Sequence, residues 1–238
     1  IQNSLYHNQK LINFLNMNTG DQKYINEYEK NATGRPLADL TYEYEDEDLD
    51  KTIKNFLKDT TPSKKKYNYN GFITQLIINY VYFKTGDDFK KLLNEIFRNK
   101  VKIKHSISIE KSSLAPDKYG NLHPMIKATR YDYLRIAKAI MDDYQNDTCV
   151  GKYLKEIHER RIKKNIKPGD EPAFNFSYSY GGQFHMDYPG LKNKVVFGLG
   201  GFGGQAILID VENSRIVVLN NLHFNNKKFK YNVRKLLI

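Results

Sequence analysis

Apolar residues recur at the spacing of an α-helix in several stretches of the first two thirds of the chain. The pattern predicts helices over 10–17, about 48–58, 70–82, 89–97, 129–141 and 150–161. Gly20 and Gly86 follow the first and third of these stretches, as expected at helix C-termini. Thr129 and Asp132 have the spacing of a capping box, which marks the start of the fifth helix.

Short strands dominate the pattern after Pro172. The segments FNFSYSYGGQFHMD, KVVFGLG, GQAILIDV and RIVVLNN have strand character and are separated by turn residues. A tight hairpin at 212–214 is predicted to join the last two, and residues 101–109 alternate as a strand would. Phe229, Val233, Leu236 and Leu237 return to helical spacing and predict a helix at the end of the chain.

This order of segments predicts an α/β protein of the α+β type, in which an antiparallel sheet is flanked by helices. Residues 174–222 supply most of the sheet, which is expected to pack against the C-terminal helix on one face and a helical region, 70–165, on the other. The sequence contains neither an internal repeat nor a linker. We therefore expect a single domain over 1–238, with a helical subregion at about 10–165 and the sheet and closing helix at about 170–238.

Composition agrees with a globular protein that has a full core. The 238 residues are 40% hydrophobic and 13% aromatic, and the longest apolar run, 73–83, is shorter than the roughly 20 residues of a membrane span. The formal net charge of +11 raises the question of a nucleic-acid partner. The lysines are scattered, however, in KKK at 64–66, RRIKK at 160–164 and NNKKFK at 225–230, which is typical of a solvated surface. We expect no nucleic-acid partner and no transmembrane segment.

The residues that most often bind metals are isolated in this sequence. Cys149 is the single cysteine, and neither His185 nor His223 has a second histidine or a carboxylate at a ligand spacing such as i, i+4. We expect neither a metal site nor a cofactor.

The densest glycine cluster lies in FGLGGFGGQAILID, residues 197–210, where five of seven consecutive positions are glycine. It lacks the Lys-Ser/Thr end of a phosphate loop, and a strand follows it where a dinucleotide fold would have a helix. One interpretation is a strand edge whose bare N–H groups hold an extended substrate or an oxyanion. The other is a tight bulged corner between two strands.

Four segments resemble motifs of the serine β-lactamase and penicillin-binding-protein superfamily, in its branch of β-lactamase-related esterases, peptidases and 6-aminohexanoate-oligomer hydrolases. They are LINFLNMNTG, PSKKKYNYNGFITQLIINYVYFKTGDDFKKLL, ATRYDYLRIAKAIM and GLGGFGGQAILIDVENSRIVVLNN. The segments lie in the family's order, so the resemblance covers about residues 5–222. It implies a β-lactamase/transpeptidase-like fold.

The resemblance also implies acyl transfer to a serine, whose Ser-x-x-Lys motif begins a helix that precedes the LNMNTG segment. On this alignment the motif lies before Ile1, so the domain is expected to be N-terminally incomplete and the isolated chain inactive. Three literal matches elsewhere are predicted to be structural. Ser63–Lys66 lies in a polar turn, Lys84–Gly86 ends a helix, and Ser108–Lys111 fits a strand, where residues three apart point to opposite faces.

The family's second motif, Tyr-x-Asn, supplies a tyrosine that shares the proton transfer. Counting back from Gly86 aligns Tyr69 with this tyrosine and leaves Gly71 at the Asn position, whereas a shift of one residue brings in Asn70. Tyr67 is the competing tyrosine. A neighbouring ammonium group is expected to lower the Tyr69 pKa from about 10.

The family's third motif lies on the strand that binds substrate and aligns with the glycine cluster. Gly200, Gly201, Phe202 and Gly203 fit its backbone role, in which the Phe202 N–H helps to bind the oxyanion. Leu199 occupies the position of the family's Lys or His. This departure disfavours substrates that carry a carboxylate, such as β-lactams or D-Ala peptides, and favours esters or amides of less acidic substrates.

The sequence therefore predicts a β-lactamase-related serine hydrolase that cleaves a small-molecule ester, amide or peptide through an acyl-enzyme. The alternative is a catalytically inactive pseudoenzyme of the same fold that holds an acylated or peptidyl ligand along the strand edge. A basic nucleic-acid binder is a third option. The resemblance alone implies a periplasmic or extracytoplasmic location.

Overall fold

A computed structural model describes the larger part of the chain. The described residues are 6–20, 65–69, 73, 74, 77, 80, 81, 84, 85, 89–105, 107–111, 124–165, 177–191, 193–201, 205–220, 225–226 and 231–232. The chain divides into two compact units, Ile1–Leu93 with Ile107–Lys127 and Asn94–Ser106 with Ala128–Ile238. Within the described residues, no helix has the length and apolar character needed to cross a membrane. The helix predicted at about 48–58 lies outside them.

In the first unit, helix α1 (Leu11–Leu15) confirms the short helix predicted near the start of the chain. Met17 then adopts a positive φ of 52°, and its carbonyl accepts a hydrogen bond of 2.9 Å from the Asn68 N–H. The described residues between Ile73 and Thr85 are helical, as the pattern predicts, and Ile73 is fully buried.

Helix α2 (Phe89–Asn94) continues directly into a π-helical stretch at Glu95–Lys100, which confirms the helix predicted over 89–97. Later in the chain, strands β1 (Ser108–Lys111) and β2 (Pro124–Lys127) pair with each other in antiparallel register.

The strand predicted over 101–109 is wrong for the described residues 101–105 and 107, because the strand begins at Ser108. Lys102 has a positive φ of 61°, and the N–H groups of Lys104 and His105 donate to the carboxylate of Asp132. Because a side chain satisfies these two donors, the segment needs no neighbouring strand.

In the second unit, helices α3 (Arg130–Gln145) and α4 (Cys149–Glu159) confirm two of the predicted helices. The hydroxyl of Thr129 accepts the Asp132 N–H at 3.1 Å, so the predicted N-cap is present. Gly151 lies against the Asp143 carbonyl oxygen, and a Cβ there would overlap it. The absence of a side chain at Gly151 thus lets the two helices approach closely.

The six strands of the second unit form one antiparallel sheet in which each strand pairs with the next in the chain. They are β3 (Ile162–Lys163), β4 (Ser179–Gly181), β5 (Phe184–Met186), β6 (Val196–Gly201), β7 (Gln205–Asp210) and β8 (Arg215–Leu219). A turn at 211–214 joins the last two and confirms the predicted hairpin. Helices together with this sheet give the α+β arrangement that the sequence predicts.

One face of the sheet packs against helices α3 and α4. Phe197 of β6 is fully buried there, with its ring centroid 5.9 Å from that of Tyr144, 6.0 Å from His158 and 5.3 Å from Phe184. Burial of a phenylalanine side chain stabilises a fold by about 1.5–3 kcal/mol, so Phe197 is a principal anchor between the sheet and the helices.

The opposite face is covered by Tyr188 and Leu191, which pack against Val196, Ala206 and Leu208. The residues that define the C-terminal helix expected on one face of the sheet lie outside the described residues.

The chain end contains a two-stranded pair, β9 (Asn225–Asn226) with β10 (Tyr231–Asn232). The predicted C-terminal helix is therefore wrong at Tyr231 and Asn232, two residue types of low helix propensity that pair with Asn226 and Asn225 in antiparallel register. Phe229, Val233, Leu236 and Leu237 lie outside the described residues.

Hydrogen bonds to Asp132 link the start of α3 to the backbone of Lys104 and His105. Its side chain is 1% exposed and accepts the Lys104 N–H at 2.9 Å, the His105 N–H at 3.2 Å and the Thr129 hydroxyl at 2.9 Å. Arg135 donates to the same carboxylate at 2.9 Å. Burial acts to raise the pKa of Asp132, but the hydrogen bonds from Lys104, Thr129 and His105 outweigh it and hold the pKa well below its ordinary value of 3.8.

Asp132→Asn is expected to destabilise the second unit by about 3 kcal/mol, because removing one partner leaves the remaining groups of a buried charged cluster unsatisfied. Asp142→Asn is the matched control on the same helix, since its carboxylate pairs with Lys138 on the solvent side and should cost about 0–1 kcal/mol. Urea unfolding of both variants measures the difference.

The same comparison has a defined pH dependence. Because the folded-state pKa of Asp132 lies below the value of 3.8, its contribution is present above about pH 4 and is lost as the pH falls further. The destabilisation by Asp132→Asn should therefore be full at about pH 5 and shrink below about pH 4. A penalty that stays constant down to about pH 3 would contradict this role.

Candidate functional site

Tyr69, the predicted proton-transfer residue, lies in the first unit at the end of the described stretch 65–69. Its side chain is 58% exposed, whereas Tyr67 is partly buried. The hydrogen bond from the Asn68 N–H to the Met17 carbonyl fixes the backbone between the two tyrosines. Tyr69 is thus open to solvent on an anchored stretch, a suitable position for a side chain that contacts a ligand.

Both tyrosines are weaker acids here than in free tyrosine. Although 58% of Tyr69 is exposed, neighbouring protein atoms remove part of the water around it, and this desolvation raises its pKa above the ordinary value of 10.0. The pKa of Tyr67 is raised by desolvation and then by charge repulsion from Tyr69. The shift at Tyr69 is opposite in direction to the lowering that the family resemblance implies.

The predicted site residues are only partly within the described chain. Gly200 and Gly201 end strand β6, and Asn70, Phe202 and Gly203 lie outside the described residues. The frame of the Tyr-x-Asn motif and the Phe202 oxyanion donor therefore stay predictions. Tyr69 belongs to the first unit and the two glycines to the second.

Two literal motif matches have the secondary structure predicted for them. Ser108 and Lys111 begin and end strand β1. Lys84 and Thr85 are helical, and the Thr85 hydroxyl donates to the Val81 carbonyl one turn earlier. Ser63, from the third match, lies outside the described residues.

The end of β6 is a strand edge with bare backbone. All six residues of β6 pair with β7, but β5 pairs with β6 only through His185 opposite Gly198. The ladder bond from the Val211 N–H to the Val195 carbonyl shows that odd-numbered residues of β6 bond toward β7. Gly198 and Gly200 consequently turn their N–H and C=O groups toward the β5 side.

Strand β5 begins at Phe184, so no described strand pairs with Gly200 on that side. Gly200 is also exposed to solvent. Because the β6–β7 register runs without interruption from Val196 to Gly201, the described part of the cluster contains no bulge. The edge interpretation of the glycines therefore fits this part of the chain better than the bulged corner.

Gly198 has a separate, structural role. The Tyr188 hydroxyl occupies the space that a Cβ at position 198 would need. At Gly201, by contrast, the nearest described atoms to an added Cβ belong to the flexible Gln205 side chain, whose Oε1 atom is 3.3 Å away. The cluster thus combines one glycine required for packing with others at an accessible edge.

A buried polar cluster lies at the other side of β5 and is formed by Lys164, Ser177 and His185. The Lys164 Nζ atom is 2.6 Å from the Ser177 Oγ and 2.7 Å from the His185 Nδ1, and the Ser177 Oγ is 3.2 Å from the same Nδ1. All three side chains are more than nine-tenths buried. The ring of Tyr180 packs edge-on against His185 with centroids 5.1 Å apart.

The histidine of this cluster is neutral at ordinary pH. Burial and then the nearby charge of Lys164 lower the pKa of His185 to about 3. Since the Lys164 nitrogen is a donor, the His185 Nδ1 accepts its hydrogen bond, which places the ring proton on Nε2.

No sequence pattern indicates this cluster. The prediction that residues 160–164 form a solvated basic run is wrong at Lys164, which is buried, and the role weighed for His185 was that of a metal ligand. Hydrogen bonds link Lys164 to residues 13 and 21 positions later, so no local spacing could reveal them. Among the described residues, no group of three or more His, Cys, Asp or Glu side chains is placed to hold a metal ion.

Gly198→Ala is expected to destabilise the sheet by about 1–3 kcal/mol, because the new methyl group forces Tyr188 and its neighbours to move. Gly201→Ala, three residues along the same strand, should change stability by less than about 0.5 kcal/mol. Thermal unfolding of the two variants makes the comparison. Equal stability of the two would show that Tyr188 does not pack as described.

No protein-family model matches the chain, and no curated protein matches its sequence.

Proposed function

We propose that the protein is a serine hydrolase that cleaves ester or amide bonds through an acyl-enzyme. The observation that carries the proposal is the bare end of β6, where Gly200 and Gly201 continue past β5. A strand edge of this kind binds extended ligands through main-chain hydrogen bonds. The four motif segments, present in the order of the β-lactamase-related family, support the same chemistry.

The orientation of Gly200 suits the charge that develops in acyl transfer. Attack on a carbonyl places negative charge on its oxygen, and each N–H donor held in position stabilises this oxyanion by about 2.7–4 kcal/mol. The Gly200 N–H points to the side where β5 has ended, and the resemblance adds the Phe202 N–H as a further donor. A side chain at position 200 would narrow the approach of the substrate.

The side chains beside this edge favour an uncharged acyl group. The described residues of β6 and β7 include no Lys, Arg or His, and Leu199 lies opposite Ile207. Asp210, the acidic residue of these two strands, lies at the end of β7 away from Gly200 and accepts hydrogen bonds from Asn213. A neutral ester or amide is therefore a better substrate for this edge than one that carries a carboxylate.

The experiment is the hydrolysis of a p-nitrophenyl ester by a form of the protein that includes a Ser-x-x-Lys segment. Tyr69→Phe should lower turnover by about 10²–10⁴-fold, the range for a lost acid/base group, because the phenol relays the serine proton. Tyr67→Phe is the matched control, two residues away on the same stretch, and should have little effect.

Three outcomes separate the alternatives. Loss of activity in Tyr67→Phe with full activity in Tyr69→Phe would show that the frame of the tyrosine motif is wrong. Full activity in both variants would exclude a tyrosine relay. Saturable binding of the ester without turnover, in the form that includes the Ser-x-x-Lys segment and carries neither substitution, would replace the hydrolase by a ligand-binding pseudoenzyme.

A further inference from the structure

We propose that β5 is an acid-sensitive strand: protonation of His185 beside the ammonium group of Lys164 releases β5 from its neighbours and extends the open edge of β6 back to Gly198. This inference is independent of the proposed hydrolase, because it concerns a proton equilibrium of the folded chain and needs no substrate. It gives a role to a buried titratable side chain that the proposed acyl transfer does not use.

The contact between Lys164 and His185 accommodates only a neutral imidazole ring. The Lys164 Nζ donates to the His185 Nδ1 at 2.7 Å and to the Ser177 Oγ at 2.6 Å. An ammonium group carries donors and no acceptor, so the Nδ1 atom has to offer its lone pair. A proton on this nitrogen removes the hydrogen bond and leaves two positive charges facing each other.

Burial makes this pair of charges costly. Lys164 and His185 are 6% and 8% exposed, so water screens the repulsion between two positive charges only weakly. The Tyr180 ring of β4 packs edge-on against His185 with centroids 5.1 Å apart, and β6 presents Gly198, which has no side chain. Among the described residues, the charge that acts on the His185 ring is therefore that of Lys164.

Release of β5 would lengthen the bare edge of β6. The two strands pair through His185 opposite Gly198, whose N–H and C=O groups face the β5 side as those of Gly200 do. Loss of this pair adds the backbone groups of Gly198 to those already free at Gly200. All six residues of β6 remain paired with β7, so the strand that carries the edge stays in the sheet.

The proton balance sets the direction and the size of the effect. In the closed sheet, burial and then the charge of Lys164 hold the pKa of His185 at about 3, whereas a hydrated ring returns to about 6.5. The neutral ring therefore stabilises the closed sheet fully above about pH 6.5, and this stabilisation is lost as the pH falls toward about 3. Between about pH 6.5 and about pH 4.5, the equilibrium constant for opening should rise about 50-fold.

Amide hydrogen exchange of the 238-residue chain, followed by NMR, measures the opening of the β5–β6 pair. After correction for the intrinsic pH dependence of exchange, protection of the Gly198 amide should fall about 50-fold between about pH 6.5 and about pH 4.5. His185→Gln should reduce this loss to less than about threefold, because a carboxamide oxygen accepts from Lys164 without taking up a proton. His158→Gln is the matched control, since this partly buried histidine lies on α4 and should leave the loss unchanged.

A measurement on the unaltered chain is decisive even where His185→Gln fails to fold. The ring nitrogen chemical shifts of His185 distinguish the neutral Nε2–H tautomer from the imidazolium ion, and the folded chain should show the neutral tautomer at about pH 5. An imidazolium signature at that pH in the closed sheet would overturn the proposal. Gly198 protection that does not change with pH, or an equal loss of protection in folded His185→Gln, would overturn it as well.

Discussion

The pairing of His185 with Gly198 across β5 and β6 is the constraint on which both the glycine edge of β6 and the buried polar cluster depend. On one side of this pair, β5 ends after one more residue and leaves Gly200 at an open edge. On the other side, His185 meets Lys164 and Ser177 in the buried cluster. The pairing in turn requires glycine at 198, because the Tyr188 hydroxyl fills the space above it. One backbone contact thus sets the length of the edge and the position of the cluster.

Buried charged groups organise the second unit at two points. Asp132 accepts hydrogen bonds from two backbone N–H groups of a preceding segment and from the hydroxyl of Thr129, the N-cap of α3, so a single carboxylate satisfies donors that would otherwise need a neighbouring strand. Lys164 follows β3 and donates hydrogen bonds to Ser177, which precedes β4, and to His185 of β5, so its ammonium group links these three strands. Burying either charge costs energy unless its partners are in place, which makes the surrounding geometry specific.

The periodicity of apolar residues correctly predicted those helices and strands in which one buried face determines the sequence pattern. The helices at 130–145 and 149–159 and the strands from 179 to 219 follow from periodicity, because one buried face dictates each pattern. The segment at 101–107 departs from its alternation because Asp132, 28 residues from Lys104, takes its backbone donors. Lys164 was predicted to lie on the surface because its hydrogen-bond partners are distant in sequence and leave no local pattern. The glycine cluster singled out Gly200 as a candidate edge residue. Whether its N–H group is unpaired, however, depends on where β5 ends, and no sequence motif indicates that position.

Among the described residues, the β5 side of β6 is paired at Gly198 and unpaired at Gly200. Amide hydrogen exchange followed by NMR reports on each position separately. We expect the Gly198 and Leu199 amides to exchange slowly, because they bond to β5 and β7 respectively, and the Gly200 amide to exchange at least about 100-fold faster than that of Gly198. Protection of Gly200 equal to that of Gly198 would show that the edge is covered and that no strand edge is available to a substrate.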